Sequence, residues 1–225
     1  MENTNTQMSD LYITYLRVKR AIYLFLKRIL DIIISLIGIV FLIPITTIIK
    51  IAYMCTGDFH RIILIQDRIG RGGKTFKFYK YRSMIPHADE ALFKMLEKDK
   101  KMAEEYAINK KLKNDPRITK VGKILRKFSI DEMPQFLNVF LGDMSLIGNR
   151  PYLPREKEDM GDSFDEIVRT KPGLTGYWQV SGRSDVTFQK RLELERYYSK
   201  HSGFKMDIKI FFKTFKVVIC GRGAN

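Results

Sequence analysis

The feature that most constrains this chain is an apolar run near its N-terminus that contains a proline. Residues 32–49 (IIISLIGIVFLIPITTII) carry no charge. As one straight α-helix this run would cover about 27 Å, slightly less than the roughly 30 Å hydrocarbon core of a bilayer. Pro44 removes a backbone donor and disfavours the α conformation at Ile43. The run is therefore predicted to enter a membrane, but not to cross it as a simple helix.

Basic residues lie on both sides of the apolar run. Because membrane proteins concentrate Lys and Arg on the cytoplasmic side, both ends are predicted to face the cytoplasm. A re-entrant helix, which breaks at Pro44 and returns to the face it entered, fits this symmetry. A kinked spanning helix and a buried helix of a soluble protein remain open alternatives. The flanking residues are Arg17, Lys19, Arg20, Lys27 and Arg28 before the run, and Arg61, Arg68, Arg71, Lys74, Lys77, Lys80 and Arg82 after it.

A second membrane contact is predicted near the C-terminus. Residues 207–219 (DIKIFFKTFKVVI) place Ile208, Phe211, Phe212, Phe215 and Val218 at helical spacing, with Lys209, Lys213 and Lys216 on the other side. This pattern is typical of an interfacial helix on anionic lipid. A core helix with solvated lysines is the alternative.

The rest of the chain predicts an α+β, mainly helical fold with a small β-hairpin or sheet. Residues 62–66 and 75–82 are predicted strands around a glycine-rich turn, with Phe76 and Phe78 on one face. Residues 87–113 are densely charged and predict a solvated helix or helix pair without chemistry. We divide the chain into a basic interfacial segment (1–28), a re-entrant membrane helix (29–51) and a cytoplasmic catalytic domain (52–225).

The charge of the chain indicates an anionic partner. Lys and Arg total 40 against 25 Asp and Glu, a formal net charge of +15. Nucleic acid, an anionic membrane face and phosphorylated substrates all fit this charge. The two cysteines and three histidines are scattered, which excludes a disulfide scaffold and gives no zinc spacing.

Asp131 and Glu132 are the candidate catalytic pair. Ser129-x-x-Glu132 matches a capping box, so a purely structural role is one interpretation. Pro134 conflicts with it: either the first helical turn is irregular, or the helix begins at Pro134 and the acids lie just outside it. Irregular backbone of this kind is frequent at active sites.

Cations surround this pair in the sequence. Arg117, Arg126 and Arg150 lie nearby, and Pro151 favours an extended backbone at Arg150. Arg and Lys bind phosphate oxygens, while carboxylates hold a divalent metal such as Mg²⁺ or attack phosphorus. The pattern therefore indicates phosphate chemistry.

At this point the motifs resemble a known family, the monotopic polyprenyl-phosphate phosphoglycosyl transferases, or bacterial sugar transferases. The resemblance runs from about Lys27 to Ala224 and rests on motifs in a fixed order. They are Lys27-Arg28, the run broken by Pro44, QDRIGRGGKTFKFYKYRSM, DPRITKVGKILRKFSIDEMPQ, NVFLGDMSLIG, Arg150-Pro151, KPGLTGYWQVSGR and Gly223-Ala224.

The resemblance implies an activity. Such enzymes move a sugar 1-phosphate from a UDP-sugar to undecaprenyl phosphate and release UMP, which begins the assembly of exopolysaccharide, capsule or another glycan. Asp131 matches the nucleophile of a covalent two-step reaction, and Glu132 matches its partner in a dyad associated with Mg²⁺. The candidate phosphate or substrate ligands are Lys80, Arg82, Arg117, Arg126, Arg150 and Arg183.

The resemblance also implies a location and a fold. We expect a monotopic protein of the inner, cytoplasmic membrane, with a re-entrant helix and with the catalytic domain facing the cytoplasm. Membrane lipid is an expected partner and nucleic acid is not, while a homodimer and the identity of the sugar (galactose, glucose or an N-acetylated sugar) stay open. Larger relatives carry an N-terminal multi-span domain, and we expect this chain to be a minimal version.

The chain departs from the family pattern at two positions. Asn149 stands where the family usually has proline, which is expected to loosen the approach to Arg150. Glu195 stands where relatives often have Asp.

Two rival hypotheses remain. The first is a membrane-tethered scaffold that binds polyanions without catalysis. The second keeps the enzyme but lets the lipid phosphate attack the donor directly in a ternary complex.

Overall fold

A computed structural model describes the backbone of residues 2–182 and 186–220, and the side chains of residues 11–182 and 186–216. It confirms a mainly helical fold with small sheets. The helices are α1 (Glu2–Cys55), α2 (Ala88–Lys98), α3 (Lys100–Asn109), α4 (Lys120–Lys127), α5 (Gln135–Leu141), α6 (Lys157–Met160), α7 (Ser163–Ile167), α8 (Tyr177–Ser181), α9 (Phe188–His201) and α10 (Phe204–Cys220). The strands are β1 (Ile63–Ile69), β2 (Thr75–Tyr81), β3 (Ser145–Ile147) and β4 (Gly173–Thr175).

Helix α1 continues through Pro44. The structure therefore does not show the predicted interruption of the helix at this residue. The hydroxyls of Thr46 and Thr47 donate to the carbonyls of Leu42 and Ile43, at 2.5 and 3.1 Å.

One face of α1 contacts the rest of the chain on both sides of Pro44. Before the proline, Arg20 donates to the Ser202 carbonyl, Lys27 pairs with Asp207, and Asp31 accepts from Ser145 and Leu146. A Cβ added to Gly38 would lie 2.5 Å from the Phe136 ring, so the two helices approach closely there. After the proline, Thr46 bonds to the Tyr81 hydroxyl, and Tyr53 donates to the Arg82 carbonyl. Both arms of α1 are thus held by the same body of protein.

The opposite face of α1 is apolar and exposed. By length and composition, Leu11–Cys55 could cross a membrane, a criterion that core helices and signal sequences also meet. Most of this segment is not buried, unlike a core helix. The exposed side chains include Ile22, Phe25, Ile29, Ile33, Leu36, Ile37, Val40, Phe41, Ile43, Ile48 and Ile51.

The predicted hairpin is confirmed. Strands β1 and β2 pair antiparallel, with Leu64 opposite Lys80 and Arg68 opposite Phe76. Phe76 and Phe78 lie on one face, with ring centroids 6.4 Å apart, and pack with Val139 and Met144. The charged segment forms the predicted helix pair, α2 and α3.

A second sheet joins β3 and β4 in parallel, with Ser145 opposite Gly173. Its backbone approach is close: a Cβ on Gly173 would lie 2.0 Å from the amide nitrogen of Gly148. This contact holds the loop that leads from β3 to Arg150.

The C-terminal helix α10 exposes the predicted apolar residues. Ile208, Phe211, Phe212 and Phe215 lie at the surface. The buried face is instead formed by Asp207 and Ile210. The alternative of a core helix built on the aromatic face is therefore wrong, and the interfacial role stays a prediction. Val218 lies outside the described side chains.

Candidate active site

The acidic pair lies in a turn between two helices. Helix α4 ends at Lys127, and Ile130–Glu132 form a short 3₁₀ turn. Pro134 immediately precedes α5. The predicted alternative, in which the acids lie just outside the helix, is therefore confirmed.

The capping-box interpretation is wrong. Ser129 has a left-handed backbone (φ 55°) and makes no capping hydrogen bond with its side chain. This conformation is uncommon for a residue other than glycine. It turns the chain between α4 and the 3₁₀ turn, and Asp131 is left 3% exposed.

Helix α4 is seated against the end of the hairpin. Thr119 caps it by accepting from the Gly122 amide at 2.8 Å. A Cβ on Gly122 would lie 1.9 Å from the Ser83 carbonyl oxygen, so only glycine fits there. The seating brings the Arg126 Nε to 2.9 Å from the Ser83 hydroxyl.

Lys80 and Asp131 form the central ion pair of the site. The Lys80 Nζ lies 2.7 Å from the Asp131 Oδ2. The hairpin supplies the lysine, and the turn between α4 and α5 supplies the acid. Because the lysine side chain is only 22% exposed, water screens this pair less than a surface pair.

Arg126 lies in the electrostatic field of the acidic pair. Burial lowers the pKa of its guanidinium, and the charges of Asp131 and Asp115 oppose that effect. Its Nε donates to the Ser83 hydroxyl, and its side chain lines the same cleft as Asp131, while its role as a phosphate ligand stays a prediction.

Arg82 and Arg117 line the cleft that contains the Lys80–Asp131 pair, but their guanidinium groups are paired with other carboxylates. The Arg82 Nη2 lies 2.9 Å from Asp58, and Arg117 is paired to Asp115. Arg82 also stacks on the Tyr53 ring, with its guanidinium carbon 4.5 Å from the centroid. In this conformation both arginines line the cleft with their guanidinium groups paired to carboxylates, and their role as phosphate ligands stays a prediction.

The approach to Arg150 is tied down, not loosened. Asn149 is 3% exposed, and its Nδ2 lies 2.7 Å from the Ser199 hydroxyl and 3.1 Å from the Ile167 carbonyl. The Arg150 amide donates to the Glu195 Oε1 at 2.9 Å. The expectation that losing the family's proline loosens this approach is therefore wrong, because side-chain hydrogen bonds replace the rigidity of the ring. Arg183 lies outside the described residues.

These groups open onto one cleft of about 640 Å³. Asp131, Glu132, Lys80, Arg126 and Arg150 all line it. Among the described residues, the non-glycine residues with a left-handed backbone are His87, Lys110 and Ser129, and all of them line this cleft. Strained backbone that gathers at one cleft is typical of a functional site.

Sequence reasoning missed part of the lining. The helix pair α2–α3, which was predicted to have no chemistry, contributes Asp89, Glu90, Tyr106 and Lys110 to the cleft. Arg68, Arg191 and Trp178 line it as well. Arg68 and Trp178 lie inside two of the family motifs, which could have indicated a place in the site. No local sequence pattern of α2–α3 indicates that this helix pair lines the cleft.

The site can supply two carboxylates to a divalent cation. Within residues 11–182 and 186–216, no group of three or more His, Cys, Asp or Glu side chains is arranged to hold a metal ion. Mg²⁺ is usually held by only one or two carboxylates, together with water and substrate phosphates. Asp131 and Glu132 in a basic cleft fit that donor set.

The structure thus combines a buried carboxylate, paired with a lysine in a basic cleft, with a long helix whose apolar face is exposed. Residues 22–221 match the model of the family described as "Bacterial sugar transferase". The chain belongs to this family, and the resemblance seen in the sequence is confirmed.

The chain is similar to curated transferases over most of its length. It is 44% identical over 200 residues to an undecaprenyl-phosphate galactose phosphotransferase of Salmonella typhimurium, covering 89% of this chain and 42% of the relative. It is 34% identical over 197 residues to a UDP-glucose:undecaprenyl-phosphate glucose-1-phosphate transferase of Escherichia coli, covering 84% and 39%. It is 36% identical over 198 residues to the exopolysaccharide production protein ExoY of Sinorhizobium fredii, covering 88% and 87%. The chain thus spans about two fifths of the length of the first two relatives.

Proposed function

We propose that this protein transfers a sugar 1-phosphate from a UDP-sugar to undecaprenyl phosphate and releases UMP. The observation that supports it most is the buried Asp131, paired with Lys80 in a cleft lined by arginines. The names of the two relatives from Salmonella typhimurium and Escherichia coli support the acceptor and the donor class, with galactose and glucose as the leading sugars. The ExoY relatives support a role in exopolysaccharide synthesis.

The proposed reaction has two steps. A carboxylate oxygen of Asp131 attacks the β-phosphorus of the donor, and the bond from that phosphorus to the bridging oxygen breaks. UMP leaves with the bridging oxygen. A phosphate oxygen of the lipid then attacks the same phosphorus and releases Asp131, which gives the lipid diphosphate sugar.

The protein's cations have defined parts in these steps. Lys80 orients the Asp131 carboxylate, because the ion pair between them fixes its position against the hairpin. Arg126 adds positive charge where negative charge develops on the transferred phosphoryl group. Mg²⁺, held by Glu132 and Asp131, would neutralise charge on the donor phosphates.

We also propose that α1 is a re-entrant helix of the inner membrane, which turns back by bending at Pro44 without a break in its helical backbone, and that the catalytic domain faces the cytoplasm. Contacts on both sides of Pro44 with one body of protein support it, because a spanning helix would carry one arm away from that body. The exposed apolar faces of α1 and α10, the latter flanked by Lys209 and Lys213, suit an anionic bilayer surface.

The test is UMP release with undecaprenyl phosphate and a panel of UDP-sugars. Asp131→Asn should lower the rate at least about a hundredfold, because an amide oxygen is a far weaker nucleophile than a carboxylate. Asp67→Asn is the matched control. Asp67 is 53% exposed on the hairpin that carries Lys80, and it pairs with Lys77. UDP as the product, or full activity of Asp131→Asn, would contradict the proposal. If the protein bound polyanions with the same affinity in wild type and Asp131→Asn, and neither showed turnover, the result would favour the non-catalytic scaffold.

A further inference from the structure

The cleft contains a second cationic cluster, formed by Arg68, Arg150 and Arg191 around Trp178. Each of these arginines has a buried Nε that contacts no acceptor within the part of the chain that the structure describes. The indole nitrogen of Trp178 is in the same situation. Buried donors in proteins nearly always have partners. Four such donors lining one cleft therefore point to a ligand that accepts hydrogen bonds.

The cluster is held in place by contacts that leave its charge available. The guanidinium carbons of Arg150 and Arg191 lie 5.9 and 4.8 Å from the centroid of the Trp178 ring. Arg68 donates to the Pro151 carbonyl and to Gln66, and lies 5.1 Å from the Phe78 ring. These contacts orient the three side chains without neutralising them.

Carboxylates compensate this charge only weakly. Within the described residues, none of the three arginines forms an ion pair with a carboxylate. The acids that act on them electrostatically are chiefly Glu156 and Glu195. Glu156 accepts from the Leu153 amide, and Glu195 accepts from the Arg150 amide.

Mutual repulsion within the cluster lowers the pKa values of its arginines. Burial, and then the charge of Arg150, lower the pKa of Arg68 to about 10. The same two causes lower the pKa of Arg191. An anion between these groups would remove that repulsion, whereas a neutral ligand would not.

The cluster lies beside the ion pair in the same cleft, on the side away from the membrane helix. Lys80 is opposite Leu64, and Arg68 lies four residues further along β1, so the backbones of Lys80 and Arg68 are about 13 Å apart, a gap that their long side chains can close onto adjacent phosphates of one diphosphate. The core near the ion pair includes Ile49 and Tyr53 of α1, whereas the core beneath the cluster has no α1 residue. A ligand that arrives from the aqueous side reaches the cluster without passing the membrane helix.

We propose that Arg68, Arg150 and Arg191, with the indole N–H of Trp178, form a second anion subsite that binds the phosphate of the nucleoside monophosphate half of the donor. The inference rests on the proposed function for the identity of the nucleotide. The subsite would hold UMP while the sugar phosphate is on Asp131. A lipid phosphate shares the same chemistry, but it arrives from the side of α1.

The test is equilibrium binding of UMP, uridine and a short-chain prenyl phosphate to the detergent-solubilised full chain, by calorimetry at fixed salt. Wild-type protein should bind UMP at least about tenfold more tightly than uridine. Arg68→Gln should lose about tenfold in UMP affinity and leave uridine unchanged, while Arg68→Lys should lose less. Arg196→Gln is the control, because Arg196 pairs with Glu166 outside the cleft.

Each outcome decides the proposal. Unchanged UMP affinity in Arg68→Gln, or a loss confined to the prenyl phosphate, would overturn it. If Arg68→Gln also lost uridine binding through misfolding, Arg191→Lys must reproduce the selective loss of UMP affinity, and its failure to do so would overturn the proposal as well. Wild-type protein that binds UMP in this way but transfers nothing to undecaprenyl phosphate would contradict only the proposed function.

Discussion

At the scale of single residues, the buried Glu195 is expected to make the stability of the protein depend on pH. Its side chain is 1% exposed, and its Oε1 accepts from the Arg150 amide. Burial raises the pKa of this carboxyl from 4.5 to about 7. The folded state therefore holds a proton that the unfolded state has already released between those two values.

This difference predicts the sign of a pH effect on stability. Because the folded state binds more protons at Glu195, the contribution of this residue to the free energy of unfolding falls as the pH rises from about 4.5 to about 7. Glu195→Gln keeps the acceptor for Arg150 but cannot ionise. We expect it to flatten this slope and to stabilise the protein at pH 8 by up to about 3 kcal/mol, relative to its effect at pH 4.5.

The measurement is the thermal unfolding midpoint of the detergent-solubilised protein as a function of pH. Glu193→Gln is the control, since Glu193 is exposed and pairs with Lys190 on the same helix. Equal slopes for Glu195→Gln and wild type would show that Glu195 does not retain a proton in the folded state.

At the scale of elements, local patterns predicted local structure well. The β1–β2 hairpin followed from alternation around glycines, and α2–α3 followed from the charged stripe, because both depend on neighbours in sequence. The role of α2–α3 as a cleft wall did not follow, since the contact is tertiary. Arg82 illustrates the same limit. The sequence predicts it as a phosphate ligand, but its ion pair with Asp58 joins residues that are distant in sequence and could not be predicted from the local pattern.

Ser129 shows how tertiary packing overrides a local motif. Its spacing to Glu132 fits a capping box, but Gly122 seats α4 against Ser83, and Pro134 delays the start of α5. The chain must turn between them, and Ser129 takes the left-handed conformation that the turn requires.

The path of α1 predicts the accessibility of two thiols. Leu11 and Cys55 lie on opposite sides of Pro44, and both are exposed. In a Cys220→Ser background, Leu11→Cys and the native Cys55 should react with a membrane-impermeant thiol reagent from the cytoplasmic side only. A spanning helix would place the two thiols on opposite sides of the membrane, and labelling of one of them from the outside would contradict the re-entrant path.

At the scale of the whole molecule, the proposed function requires the fold to bring a soluble nucleotide sugar and a membrane lipid to one carboxylate. In this proposal the apolar faces of α1 and α10 would fix the height of the domain at the bilayer. The hairpin and the turn between α4 and α5 then fix Asp131 against Lys80. Catalysis in this account depends on that placement. The net charge of +15 on the protein attracts the two anionic substrates and also the anionic membrane surface.

The most direct test of this account is mass analysis of the full chain after incubation with UDP-galactose or UDP-glucose and Mg²⁺, in the absence of lipid acceptor. The account predicts one added hexose phosphate, located on the peptide that contains Asp131. The adduct should disappear when undecaprenyl phosphate is added, and it should be absent from Asp131→Asn. Normal turnover without any adduct, as in direct attack within a ternary complex, or an adduct on another residue, would contradict it.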